Sequence, residues 1–79
     1  MDDVAVKIRT VLVEELGIDY ADITDDSTLA EDLGLDSLEL VNLAIELENV
    51  FDFTVPDSSV TANMTVGQVA DKIRELKGA

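Results

Sequence analysis

Leu33-Gly34-Leu35-Asp36-Ser37-Leu38-Glu39-Leu40-Val41 is the stretch on which the reading of this chain turns. Asp36 stands before a long helix-periodic run, and Glu39 follows it three positions later. That spacing predicts a capping box, with Asp36 as N-cap and Glu39 as N3. Gly34 is the natural place for the backbone to turn into the cap. Ser37 then becomes the first helical residue, N1, beside backbone N–H groups that have no intrahelical partner. A phosphodiester on its hydroxyl would lie at the positive end of the helix dipole. Local sequence leaves two readings of Ser37 open: an ordinary polar residue in a first turn, or a modified site. The chain has no histidine and no cysteine, so the usual base that activates a serine and the commonest alternative nucleophile are both missing. Modification therefore fits Ser37 better than catalysis.

Working outward from this stretch, the run Ser37 to Phe51 carries two apolar faces when counted at 100° per residue. Leu40, Leu43, Ala44, Leu47 and Phe51 share one. Leu38, Val41 and Ile45 form a second, nearly opposite, flanked by Asn42, Glu48 and Asn49. A helix with two apolar faces has more than one thing to bury against. Either helices pack on both sides of it, or the second stripe is exposed for docking. Upstream, Val4, Ile8, Val11 and Leu12 predict an amphipathic helix from about Asp3 to Leu16, stopped at Gly17. Between the two helices, Ile18, Ile23, Leu29 and Leu33 are irregularly spaced in an acidic, hydroxyl-rich segment. This predicts a long loop plugged into the core, with a helical turn at Leu29–Asp32. Downstream, Pro56 breaks the chain, and a short helix is expected over Asp57-Ser58-Ser59-Val60-Thr61. Thr65 and Gln68 offer a second capping box, and Val66, Val69, Ala70, Ile73 and Leu76 mark the apolar face of a last helix. Gly67, inside its first turn, is expected to weaken it. The fold expected from the residues is all-α, with three substantial helices and one short helix around one core.

Seventy-nine residues suggest one domain spanning 1–79, with a core near the lower limit of self-sufficiency. Eighteen acids face five bases, for a net charge of −13. All the bases lie near the ends, at Lys7, Arg9, Lys72, Arg74 and Lys77, and none lies from Thr10 to Asp71. Nucleic acid and anionic membrane surfaces are poor partners for such a chain, because both need bases. The acidity serves either solubility alone or attraction to basic protein surfaces. The acids between Asp19 and Asp32 lack the calcium-loop pattern of alternating acids around a central glycine, so no metal site is expected. With neither an apolar leader after Met1-Asp2-Asp3 nor a membrane-spanning run, a cytoplasmic protein is expected.

Glu31-Asp32-Leu33-Gly34-Leu35-Asp36-Ser37-Leu38 resembles the attachment motif of the acyl carrier proteins. Glu15-Leu16-Gly17-Ile18 resembles the end of that family's first helix, and Phe51-Asp52-Phe53-Thr54-Val55-Pro56-Asp57 the loop leading to its third. The resemblance thus covers the whole chain. It implies a small four-helix bundle with a long loop between helices 1 and 2. It also implies a carrier rather than an enzyme: Ser37 would hold 4′-phosphopantetheine through a phosphodiester, and the arm's thiol an acyl group as a thioester. The implied partners are a phosphopantetheinyl transferase and acyl-processing enzymes with basic patches. They would meet Asp36, Leu38, Glu39, Val41, Ile45, Glu48 and Val55 of a monomeric protein whose core can receive the acyl chain. The implied pathway is fatty acid biosynthesis. Asn42 and Asn49 stand where fatty-acid carriers are commonly acidic, Val50 where a charge is frequent, and Phe53 adds an aromatic ring. These departures keep open a specialised carrier for polyketide or other secondary acyl transfer. From a different class, an acidic interaction module without a prosthetic group is the alternative.

Overall fold

A computed structural model of the chain describes residues 3–78. Met1 and Asp2, which belong to the stretch expected to lack a leader, lie outside the described residues. Three α-helices carry the fold: α1 (Asp3–Glu14), α2 (Ser37–Phe51) and α3 (Val66–Gly78). Two single 3₁₀ turns, Tyr20–Asp22 and Asp57–Ser59, sit in the connections. The described chain is all-helical, as the apolar periodicities predict. Ile8, Leu12, Leu29, Leu43, Leu47, Val69 and Ile73 are fully buried at its centre.

Helix α1 ends two residues before the expected Leu16. Gly17 adopts a left-handed φ of 70°, and the Ile18 N–H turns back to the Leu12 carbonyl at 3.0 Å. No atom would crowd a Cβ at Gly17, so the backbone angle alone is what favours glycine there. Residues 17–36 form the expected loop, with Ile23, Leu29, Leu33 and Leu35 buried in the core. The turn expected at Leu29–Asp32 is present as a single uncontinued turn, the Asp32 N–H donating to the Thr28 carbonyl at 3.2 Å. The 3₁₀ turn occupies Tyr20–Asp22, where the Asp19 carboxylate accepts from the Ala21 N–H at 3.0 Å. At 28–33 the Leu33 N–H also donates to the Thr28 carbonyl, and the side chains of Thr28 and Asp32 cap each other's N–H groups.

The loop is held by partners distant in sequence. Leu29 N–H donates to Met64, Val66 N–H to Ser27 and Gly67 N–H to Asp25, each at 2.9 Å. Gly67 thereby gains a reason that helix propensity does not supply. A Cβ at this position would lie 3.1 Å from the Asp25 carbonyl oxygen, so any other residue would have to push the loop back by a few tenths of an ångström, which favours glycine. The Thr65–Gln68 capping box opens α3 as predicted.

Arg9 is a buried base near the start of the chain. It is only 9% exposed, low for a charged side chain. One Nη donates to the Ile23 carbonyl at 3.1 Å and the other to the Asp25 carboxylate at 2.8 Å. The guanidinium thus binds α1 to the loop instead of offsetting surface charge. Lys7, Lys72 and Arg74 each pair with an acid three or four residues away on their own helix. Exposed pairs of this kind contribute little. Residues 11–70 hold fourteen acids and no base, so self-repulsion should weaken the compact state. Raising the salt concentration is expected to stabilise the protein by screening. A gain of about 1 kcal/mol would raise Tm by about 4–8 °C. Thermal melts followed by circular dichroism check this, and a Tm indifferent to salt would show that repulsion is not limiting.

Candidate functional site at the start of α2

Leu33 and Leu35 are 9% and 3% exposed, and Gly34 between them takes a left-handed φ of 73°. The Leu35 N–H donates to the Leu29 carbonyl at 2.9 Å. The chain is therefore anchored in the core one residue before the helix cap. Asp36 follows in extended geometry and closes the predicted box in both directions. Its carboxylate accepts from the Glu39 N–H at 2.8 Å, while the Glu39 carboxylate accepts from the Asp36 N–H at 3.2 Å. Ser37 is the first residue of α2 and is exposed. Its own N–H and that of Leu38 are first-turn donors for which the helix has no acceptor. Asp36 and Glu39 each use one carboxylate oxygen locally and keep lone pairs for an approaching cation.

Beyond Ser37 the two faces of α2 part company. Leu43, Ala44 and Leu47 are buried against the other helices, whereas Leu38 is 69%, Ile45 47% and Val41 38% exposed. Among the described residues no helix covers the second stripe, so of the two readings left open, packing on both sides fails. Asn42 and Asn49 are also exposed.

Of the expected partner contacts, Val55 has another place in the structure and Glu48 has a local hydrogen-bond partner. Val55 is 1% exposed, so its side chain is part of the core and offers no surface to a partner. The Glu48 carboxylate is half-buried and accepts from the Val55 N–H at 3.0 Å. It holds the connection after α2, where Asp52 takes a left-handed φ of 61°. The correction at Val55 has its cause in the chain reversal at Asp52, which folds the loop back on α2. Glu48 keeps its second carboxylate oxygen and stays among the candidate partner contacts. Phe53, an apparent departure from the family pattern, packs against the core and lies 6.0 Å from the Phe51 ring, while the Lys7 ammonium sits 5.5 Å over Phe51. Among the described residues no group of three or more acids could hold a metal ion, and no helix is long and apolar enough to cross a membrane.

The model of one protein family, described as the phosphopantetheine attachment site, matches residues 6–73. The chain belongs to that family. The match runs from within α1 to within α3 and takes in all of α2. Members of the phosphopantetheine attachment-site family bind 4′-phosphopantetheine covalently, and this chain is a carrier of that group. The start of α2 fits a phosphodiester: an exposed hydroxyl, first-turn N–H groups with no helical acceptor, and the positive end of a helix dipole. Carrier domains of this family exchange acyl chains with processing enzymes and are typically not catalysts themselves.

Proposed function

We propose that residues 1–79 form a single carrier domain that bears the arm on Ser37 and holds acyl intermediates as thioesters in cytoplasmic fatty acid biosynthesis, as a monomer and without catalysing the chemistry. The observation that carries the assignment of Ser37 is a comparison among the serines. Ser27 and Ser59 are 6% and 4% exposed. Ser58 is exposed but lies inside a single 3₁₀ turn. Ser37 alone combines exposure with the first position of a long, capped helix. A transferase would join the Ser37 oxygen to the phosphorus of the arm, breaking the pyrophosphate bond of coenzyme A with release of adenosine 3′,5′-bisphosphate and of the serine proton to a base of the transferase. Ser37 supplies the nucleophilic oxygen, and the capped first turn holds it clear of the core. Intact mass after incubation with transferase and coenzyme A is the direct test.

Leu38, Val41 and Ile45 are the apolar contacts of the proposed docking surface, with Asp36 and Glu39 beside them for basic residues of the enzymes. Asn42, Asn49 and the 40%-exposed Val50 favour a second reading, a specialised carrier for polyketide or related acyl transfer. One kinetic comparison addresses both. Replacing Val41 or Ile45 by Asn is expected to lower a partner's kcat/KM about tenfold, equivalent to about 1.4 kcal/mol, with little change in Tm because both side chains are already exposed. Equal turnover would remove the stripe from the docking surface. Under the fatty-acid reading, Asn42→Glu/Asn49→Glu should serve a fatty-acid ketosynthase no better than the wild type. A marked gain by the double variant would favour the specialised carrier.

A further inference from the structure

We propose that the groove between α1 and the Tyr20–Asp22 turn is a second docking site, which receives a basic polypeptide segment with an apolar tip from a partner protein. The groove has a volume of about 190 Å³ and is lined by Val6, Arg9, Thr10, Val13, Glu14 and Tyr20. These residues include none of the Ser37 site, and none belongs to α2. Val6 is 46% and Tyr20 60% exposed. On α1, Val6, Thr10 and Val13 recur at helical spacing on the side away from Val4, Ile8, Val11 and Leu12; Val6 and Thr10 are exposed, while Val13 is half-buried and also packs against the core.

Size and charge select the occupant. Small-molecule pockets enclose about 300–1,000 Å³, so this groove suits one or two side chains inserted from a larger partner. Its one cationic lining residue, Arg9, is buried and already paired with Asp25, which leaves the exposed carboxylate of Glu14 as the charge at the wall. Asp22 lies in the turn that forms the other side, and it is exposed. A second copy of this chain would bring another net −13 to the contact, and an anionic lipid surface would be repelled in the same way. A Lys or Arg beside an apolar anchor complements both the wall and its rim. So small a contact makes a weak, exchanging complex.

The inference is independent of the arm, and its test separates the two. The isotope-labelled full chain, and separately its Ser37→Ala variant, would be titrated with a synthetic amphipathic peptide of Leu and Lys and with its Leu and Glu counterpart, following backbone amide shifts. The Leu–Lys peptide is expected to shift the amides of Val6, Thr10, Val13 and Tyr20 in both proteins. Tyr20→Ser should weaken that set about fivefold while leaving arm attachment at the wild-type rate. Glu14→Lys should weaken it and flatten its salt dependence. Shifts confined to Leu38, Val41 and Ile45, equal groove shifts with the Leu–Glu peptide, unchanged affinity in Tyr20→Ser, or dimerisation of the protein through this face would each overturn the proposal.

Discussion

Ser37→Ala should fold with wild-type helix content and gain no mass when incubated with a phosphopantetheinyl transferase and coenzyme A. The loss is expected to be complete, because the substitution removes the oxygen to which the arm would be joined and no neighbouring group can replace it. Folding should survive because the N1 position tolerates alanine and the capping box is formed by Asp36 and Glu39, neither of which is altered. Circular dichroism and a melting curve establish that the variant is folded, so a null result in mass cannot be blamed on collapse. Arm found on Ser37→Ala, at Ser58 for example, would refute the assignment of the site while leaving family membership untouched.

Leu47→Ala should leave much of the protein unfolded at 37 °C. Leu47 is 0% exposed and belongs to the buried face of α2, packed in the central cluster. Deleting a buried leucine side chain costs roughly 2–5 kcal/mol through lost transfer free energy and the cavity left behind. Domains have only about 5–15 kcal/mol of stability, and a chain this short and this acidic belongs toward the low end. Urea denaturation should show a large fall in the midpoint. Because α2 also carries Ser37 and the exposed stripe, arm attachment should fall in step with the folded fraction and recover when salt restores folding. Wild-type stability in Leu47→Ala would mean that this face of α2 is not the packed one.

The two substitutions probe different parts of the same helix, and the sequence is informative about both for one reason. Capping boxes join residues three apart, so Asp36 with Glu39 and Thr65 with Gln68 are readable without any fold. The apolar face containing Leu43 and Leu47 repeats at helical spacing and is equally plain. Gly17, with its left-handed backbone, marks the end of α1 to within three residues. The candidate attachment site is built from these local features, which is why the sequence alone can single out Ser37.

Four features needed the tertiary structure. The stripe of Leu38, Val41 and Ile45 has the same periodicity whether buried or bare, and only the placement of α1 and α3 leaves it bare. Arg9 looks like a surface base until Ile23 and Asp25, fourteen and sixteen residues away, accept its hydrogen bonds. Val55 looks like a loop residue available to partners until the reversal at Asp52 turns it into the core. Gly67 looks like a weak spot in a helix until the Asp25 carbonyl comes within contact of where its side chain would be. For Arg9, Val55 and Gly67 the deciding neighbour lies across a chain reversal. Local propensity and periodicity describe the conformation of a segment and the direction its side chains face. What covers those side chains is set by which distant segments pack there, and that depends on the free energy of the whole assembly of helices and loop.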